Sequence, residues 1–248
     1  MLITLLVFFG LTLGSFMNVL IYRLPENLSI VYPGSFCPNC KSKIKFYDNI
    51  PVLSYLLLKS KCRICKTHIP IRYPLVELLF CIILVGLYLK FGLTTDFIFY
   101  SIFMFFITAC GLTDLFTLLD KKFQTGIIPD KLTYTGMVVG LTLSYFLYMN
   151  LLSSFIGLIF GFLLLFVPNM IYKLIRKHDG IGGGDMKLMA MIGTYVNIYN
   201  ILHILIFSLV FEILTGLFII YKTKNKNFPI PFGPFIIIGN LIVIFFIL

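Results

Sequence analysis

Long apolar stretches with few charges constrain this chain more than any other feature. Apart from one polar segment, the sequence runs from one apolar stretch to the next with short links between them. A stretch of about 20 apolar residues is long enough to cross the hydrocarbon core of a membrane as a helix. Only 12% of the residues are charged, whereas soluble domains have about 25%. We therefore predict an all-α polytopic membrane protein.

The apolar stretches predict about eight transmembrane helices. They cover residues 2–22, 75–89, 97–112, 132–149, 151–171, 187–197 and 201–221, and the last one ends at Leu248. The sixth corresponds to only about 16 Å of helix, whereas the hydrocarbon core is about 30 Å thick. Either this span is very short, or the glycine-rich stretch before it dips into the membrane and lines a protein cavity.

Basic residues orient these helices. Nine of the twenty Lys and Arg residues fall within residues 23–74. Because loops rich in Lys and Arg stay in the cytoplasm, we predict that this segment is cytoplasmic and that both termini lie outside. The same rule, with contact to anionic membrane lipid, accounts for the net charge of +10 without a nucleic-acid partner. The first apolar stretch lacks a cleavage site of small residues, so we expect it to be retained as a span.

Two Cys-x-x-Cys pairs lie in the polar segment. They are Cys37 with Cys40, and Cys62 with Cys65. Four thiolates at this spacing are typical of a tetrahedral Zn²⁺ site, and the reducing cytoplasm disfavours disulfides. Because protein sulfurs fill all four positions, we expect structural zinc that stabilises a small module between the first two helices. His68 is an alternative ligand.

The stretch Gly180–Lys187 holds four glycines and one carboxylate, Asp185. Four ordered glycines are costly in entropy, and one reason for them is a backbone that approaches another group closely. Asp114 directly follows the third span and lies on the same predicted membrane face. Two carboxylates in a poorly solvated site carry one proton between them, so one can activate water while the other protonates a leaving group. The alternative is a solvated loop in which Asp185 caps a helix.

This chemistry leaves three classes of function open. A peptide hydrolase would use Asp114 and Asp185 as its carboxylate pair. A proton-coupled membrane transporter would use the same pair with Glu212, near the middle of the seventh span. A non-catalytic membrane scaffold would present the zinc module to a partner. The chain contains no Gly-x-Ser-x-Gly elbow and no His-Glu-x-x-His motif.

Several motifs together resemble those of the type IV prepilin peptidases. In chain order these are Gly14–Pro25, the two cysteine pairs, Asp48–Pro51, Ser54–Tyr55, Arg72–Glu77, Ile128–Asp130, Gly182–Lys187 and Pro231–Pro234. The resemblance covers nearly the whole chain, and the order of the motifs is highly specific. It implies an intramembrane aspartyl protease of the Gly-x-Gly-Asp type in the bacterial inner membrane, with its active site near the cytoplasmic face.

The resemblance also implies a substrate and a second activity. Members of this family cut the basic leader from type IV prepilins and pilin-like secretion proteins (pseudopilins) just after a glycine. They then methylate the new N-terminal residue with S-adenosylmethionine. By the motif match, Asp185 is one catalytic residue, and the active-site loop contains Gly182, Gly183, Gly184 and Lys187.

The other catalytic residue has two candidates. The family has an Asp at the end of a span, a few residues before Ile-Pro-Asp. Here Asp114 precedes Asp130 by sixteen residues, so we infer an insertion between them. Asp114 fits best because it lies directly at the end of the span. Asp120 is nearer to Asp130 but lies in a polar loop, and it is the rival candidate.

The resemblance further implies a division of the chain into three parts. Residues 1–22 form the first transmembrane helix, residues 23–74 a four-cysteine zinc module associated with methylation, and residues 75–248 the membrane peptidase core. Three residues match the family in the part associated with methylation: Asn18, Arg72 and Glu77.

Overall fold

The computed structural model describes residues 1–120, 122–123, 125–224 and 229–248. Within these ranges the chain forms nine α-helices and no β-strand, apart from two isolated bridges. The all-α prediction is therefore confirmed. The chain folds into two units, Met1–Leu93 and Thr94–Leu248.

The first unit is built on two long helices and one short one. These are α1 (Leu2–Arg23), α2 (Leu53–Leu57) and α3 (Arg72–Phe91), with a 3₁₀ turn at Phe46–Asp48. α1 and α3 approach until their backbones nearly touch. A Cβ atom added to Gly14 would lie 2.6 Å from the Cα of Glu77, and one added to Gly10 would lie 2.9 Å from the Cα of Cys81. Small residues allow such close packing of helices in a membrane.

Charged side chains hold the polar segment that connects α1 to α3. Arg23 at the end of α1 is buried, and its guanidinium donates to the carbonyls of Ser29 and Gly34 at 2.8 and 3.1 Å. Arg63 donates two hydrogen bonds to the carboxylate of Asp48, at 2.8 and 2.6 Å. This pairing lowers the pKa of the Asp48 carboxyl. Arginine side chains thus stabilise a segment that has little regular structure.

The described residues of the second unit form six helices. They are α4 (Thr95–Leu119), α5 (Asp130–Tyr148), α6 (Leu151–Arg176), α7 (Gly183–Gly193), α8 (Ile198–Thr223) and α9 (Gly233–Ile242). A π-helical turn at Val243–Ile247 continues α9. α4 packs against α9, α6 against α7, and α8 against α9.

The short helix α7 lies in the core of the second unit. Four of its side chains are fully buried: Leu188, Met189, Met191 and Ile192. Glycines of the neighbouring helices give α7 this position. A Cβ atom at Gly157 of α6 would overlap the carbonyl of Gly193, and one at Gly136 of α5 would overlap the side chain of Met191. Because residues 188–193 are all buried, this part of α7 is held by packing more than by its own propensity.

Five of the described helices are long and apolar enough to cross a membrane, namely α1, α3, α4, α6 and α8. Their mean hydropathies lie between 2.0 and 2.4 over the most apolar window. The chain is therefore a multi-pass membrane protein by length and composition. α7 and α9 are shorter, with 11 and 10 residues.

Helix boundaries beside the two predicted carboxylates differ from the sequence-based expectation. α4 continues past Asp114 to Leu119, and the hydroxyls of Thr113 and Thr117 are satisfied within it by helix carbonyls at 2.6 and 2.8 Å. α7 begins at Gly183 instead of Lys187, so tertiary context overrides the low helix propensity of glycine. Both predicted catalytic carboxylates therefore lie within helices.

The contact between α1 and α3 makes a stability prediction. Alanine at Gly14 would place its Cβ against the backbone of Glu77, which cannot rotate away. We expect Gly14→Ala to lower the free energy of unfolding by about 1–3 kcal/mol, measured by thermal unfolding in detergent. Gly34→Ala is the matched control, because an added Cβ there meets no atom within 4 Å. An unchanged melting temperature for Gly14→Ala would contradict the close packing.

Candidate functional site

Asp114 is the most enclosed carboxylate of the second unit. Its exposed fraction is 5%. The backbone N–H of Gly233, the first residue of α9, donates to its Oδ2 at 2.8 Å. This bond forms because α4 and α9 touch at two glycines, where a Cβ on Gly233 would lie 2.7 Å from the Cα of Gly111. The Pro231–Pro234 motif therefore supplies a hydrogen-bond donor to Asp114.

A returning piece of chain covers the other side of Asp114. The hydroxyl of Thr117 accepts the N–H of Ile127 at 2.8 Å and draws the chain back along α4. This brings Gly126 so close that any Cβ there would overlap Oδ1 of Asp114. Position 126 therefore tolerates only glycine while Asp114 keeps this conformation.

Asp185 lies in the first turn of α7 and is half-buried. Its backbone N–H donates to the carbonyl of Gly182, the N-cap residue, at 3.2 Å. Asp185 lies within electrostatic range of Asp114 and of Glu212 in α8. The chain that covers Asp114 also reaches this turn, since a Cβ on Gly184 would lie 3.0 Å from the Cβ of Ile128. The fold thus brings the two predicted carboxylates close enough to interact electrostatically.

Asp120, the rival candidate, has a different environment. It is the C-cap residue of α4, and its Oδ1 accepts the N–H of Lys122 at 3.0 Å. It therefore completes a turn at the end of the helix. Asp114, about one and a half turns earlier on α4, is the carboxylate that lies with Asp185.

Lys187 anchors the glycine stretch to the start of α5. Its Nζ donates to Oδ1 of Asp130 at 2.7 Å and lies 5.5 Å from the centre of the Tyr134 ring. An aspartate that follows a proline commonly caps the next helix, but Asp130 is the first helical residue of α5 and makes no side-chain cap bond. Its carboxylate faces Lys187 instead.

Asn169 is a polar anchor that the motif analysis missed. It is buried in α6, and its Oδ1 accepts the N–H groups of Gly180 and Ile181 at 2.8 and 2.9 Å. Its Nδ2 donates to Asp179 at 3.1 Å, and Lys173 donates to the same carboxylate at 3.0 Å. The one sequence signal was an amide side chain directly after Pro168 inside an apolar helix. Asn169 fixes where the glycine stretch begins.

The four predicted metal ligands of the first unit form a compact cluster. The sulfurs of Cys37, Cys40, Cys62 and Cys65 all lie within 4.8 Å of one another. The Cys37–Cys65 sulfur distance is 3.8 Å, about the edge of a tetrahedron with metal–sulfur bonds of about 2.3 Å.

The environment of the cluster suits thiolate ligands. Hydrogen bonds with Thr67 lower the pKa of the Cys65 thiol to about 5, and Ser42 lowers that of Cys40. Burial raises the pKa of Cys37 to about 11, which a bound cation would offset. His68 lies outside the cluster, with Nε2 at 3.2 Å from the Ser60 hydroxyl. The donor set therefore fits a divalent metal that prefers sulfur.

The three residues matched to methylation lie where α1 meets α3. Asn18 is buried, and its Nδ2 donates to the carbonyl of Tyr73 at 3.0 Å. Glu77 is buried, and its Oε2 accepts the N–H of Val52 at 2.7 Å. Arg72 is half-buried, with its guanidinium 5.1 Å from the centre of the Tyr73 ring. Asn18 and Glu77 are thus engaged within the chain.

Comparison with known families matches both units. Residues 8–91 match the family described as the Bacterial Peptidase A24 N-terminal domain. Residues 101–220 match the Type IV leader peptidase family.

Curated relatives are similar over almost their whole length. A protein of Vibrio cholerae named prepilin leader peptidase/N-methyltransferase is 35% identical, over 95% of this chain and 93% of the relative. Proteins with the same name from Pseudomonas aeruginosa and Burkholderia pseudomallei are 32% and 30% identical. These alignments cover 95% and 96% of this chain, and 87% and 83% of the relatives. No solved structure matches the chain.

The Asn169 anchor makes a prediction about local opening. In Asn169→Leu, the N–H groups of Gly180 and Ile181 lose their acceptor. Each lost hydrogen bond contributes about 1 kcal/mol. Because both are lost together, we expect hydrogen exchange of these two groups to accelerate by about tenfold or more. Exchange measured by mass spectrometry on peptides covering residues 178–186 reports this.

A swap of two side chains provides the specific control. Asn169→Asp alone turns a second carboxylate toward Asp179 and should also accelerate exchange. Adding Asp179→Asn places the donating amide at position 179 and the accepting carboxylate at position 169. The side-chain hydrogen bond is then restored in the opposite direction, so protection should return. Asn240→Leu removes another buried Asn of this unit, whose Nδ2 bonds the Ile236 carbonyl, and should leave these peptides unchanged. Failure of the swap to restore protection would refute the anchor.

Proposed function

Because this chain belongs to the type IV leader peptidase family, we propose that it cleaves the leader peptides of type IV prepilins or pseudopilins and N-methylates the new N-terminal residue. The names of its relatives, prepilin leader peptidase/N-methyltransferase, support both activities. They do not favour a proton-coupled transporter or a non-catalytic scaffold. The observation that supports the peptidase proposal is that Asp114 and Asp185 lie close enough to interact electrostatically, while the chain from Gly126 to Ile128 packs against Asp114 and against the turn that carries Asp185.

In the proposed reaction the two carboxylates share one proton. The ionised carboxylate takes a proton from a water molecule, whose oxygen attacks the carbonyl carbon of the scissile peptide bond. The protonated carboxyl gives its proton to the leaving nitrogen, so that the products are a carboxylic acid and an amine. Gly182, Gly183 and Gly184 carry no side chain between Asp185 and a passing substrate strand, and Lys187 holds the turn through Asp130.

The membrane arrangement is part of the proposal. Eight helices lie in the bacterial inner membrane. Five are the long spans α1, α3, α4, α6 and α8, and the other three are α5, α7 and α9. Both termini lie outside, and the carboxylate pair lies near the cytoplasmic face, where the basic leader of a prepilin would reach it. Anionic lipid surrounds the basic loops. The proposal keeps the three parts that the resemblance implies: the first transmembrane helix (residues 1–22), the four-cysteine module (residues 23–74) and the peptidase core (residues 75–248).

We assign the four-cysteine cluster to structural Zn²⁺. Cys37, Cys40, Cys62 and Cys65 would fill all four positions of a tetrahedral ion and leave none for a substrate. The bound metal would cross-link the two cysteine pairs of a segment that has little regular structure of its own. The cytoplasmic position of this module belongs to the same proposal.

Methyl transfer requires a donor, and family resemblance implies S-adenosylmethionine. The side chains of Asn18 and Glu77 do not fit a binding site for it, because both are buried and hydrogen-bonded within the chain. We therefore propose that Asn18, Arg72 and Glu77 support methylation by positioning the polar segment against α1 and α3.

Substitution of the carboxylates tests the peptidase proposal. We expect Asp114→Ala and Asp185→Ala each to reduce prepilin cleavage by about a thousandfold or more, because neither carboxylate can do the work of the other. Asp120→Ala is the matched control and should stay within about twofold of wild type. Leader removal is followed by gel shift and mass spectrometry of a purified prepilin.

The outcomes separate the two candidates for the first catalytic residue. Loss of cleavage in Asp120→Ala with full activity in Asp114→Ala would overturn the assignment of Asp114. Full activity in Asp185→Ala would overturn the peptidase site itself. Retention of the wild-type melting temperature in each variant shows that loss of cleavage does not come from unfolding.

Metal analysis tests the zinc assignment. Purified protein should contain about one zinc ion per chain, and Cys37→Ser or Cys65→Ser should lose it, because a tetrahedral site with three sulfurs binds far more weakly. Cys81→Ser is the control, since Cys81 lies in α3 away from the cluster and should not affect the zinc content. Less than about half a zinc ion per wild-type chain would count against this assignment.

A further inference from the structure

The position of Glu77 along α3 reveals how deep part of the polar segment lies. α3 begins at Arg72, and its 20 residues extend about 30 Å, which matches the hydrocarbon core. Glu77 is five residues further on, about 7.5 Å along the axis. Its Oε2 accepts the backbone N–H of Val52 at 2.7 Å. The backbone of Val52 is therefore hydrogen-bonded to a side chain that starts in the second turn of a membrane span.

α1 also places Glu77 inside the membrane end of this unit. Gly14 packs against the Cα of Glu77, so these two residues lie at one level. α1 continues nine residues past Gly14 to Arg23, which is about 13 Å of helix. Measured along either helix, Glu77, the hydrogen-bond partner of Val52, lies well inside the end that joins the polar segment.

The residues next to Val52 satisfy their polar groups internally. The N–H of Ile50 donates to the Ser54 hydroxyl at 2.9 Å, and that hydroxyl donates to the carbonyl of Tyr47 at 3.1 Å. The N–H of Ser54 donates to the carbonyl of Ile50 at 3.0 Å. Backbone can enter the lipid region only when its hydrogen bonds are made by protein groups. This segment meets that requirement.

The outward side chains of α2 are apolar and exposed. Leu53, Leu56 and Leu57 have exposed fractions of 47%, 64% and 71%. Lys59 and Lys61 follow directly and are also exposed. Leucines facing outward at this depth suit acyl chains, and lysines just beyond them suit anionic headgroups.

We propose that residues 50–57, here called the α2 segment, enter the lipid bilayer beside α3. Leu53, Leu56 and Leu57 contact the acyl chains, and Lys59 and Lys61 lie at the headgroups. The α2 segment is thus a membrane-docking surface within the module that carries the cysteine cluster. This inference rests on the membrane spans and the Glu77–Val52 contact, and it stands whether or not the proposed catalytic function does.

The absence of tryptophan from the sequence allows a direct depth measurement. Leu56→Trp and, separately, Leu57→Trp each introduce one fluorescent reporter at an exposed position where the larger ring displaces no neighbour. The full-length variants are reconstituted into vesicles of phosphatidylcholine and phosphatidylglycerol, with or without bromine on the acyl chains. We expect blue-shifted emission and at least about twofold quenching by brominated lipid, because the ring lies among acyl chains.

Val31→Trp is the matched control. Val31 is 82% exposed and lies in the loop that Arg23 holds at the far end of α1, so its emission should be red-shifted and little quenched. Red-shifted, unquenched emission from both leucine variants would place the α2 segment in water and overturn the proposal. Blue-shifted emission without quenching would also overturn it, because the leucines would then be covered by protein.

Discussion

Contact between helix backbones at glycine is the interaction on which both units depend. In a membrane the lipid is as apolar as leucine, so burial of apolar side chains does little to choose one packing over another. Glycine removes the side chain from the contact and lets dispersion and backbone dipoles act at short range. Gly14 does this for α1 and α3, Gly111 and Gly233 do it for α4 and α9, and Gly157 does it for α6 and α7. Each of these contacts also fixes the level of one helix along another.

The candidate active site is a product of those fixed levels. Asp114 receives the N–H of Gly233 only because α4 and α9 meet one turn from the carboxylate. Thr117 then returns the chain so that Gly126 closes over the same side chain. Asp185 is carried on a helix whose entry is held by the Asn169 amide. Backbone N–H groups and one amide thus position two acids that have few side-chain partners of their own.

Composition and motif spacing were enough to predict the helical membrane fold and the clustering of four cysteines. These depend on local properties, such as apolar length or ligand spacing, that a sequence displays directly. The contact of Gly126 with Asp114 and the hydrogen bond from the Val52 N–H to Glu77 join residues that are distant in the chain, so no periodicity reveals them. At Asp130 the local capping preference of aspartate does not decide the contact, since its carboxylate pairs with Lys187, 57 residues away.

The brevity of α7 has a consequence for what the second unit can accommodate. Its 11 residues extend about 16 Å, about 14 Å less than the thickness of a typical hydrocarbon core. An extended polypeptide advances about 3.3 Å per residue, so roughly four extended residues span that difference. A helical guest of that length would keep its peptide groups bonded to itself. An extended guest would present its peptide bonds, as the proposed cleavage requires.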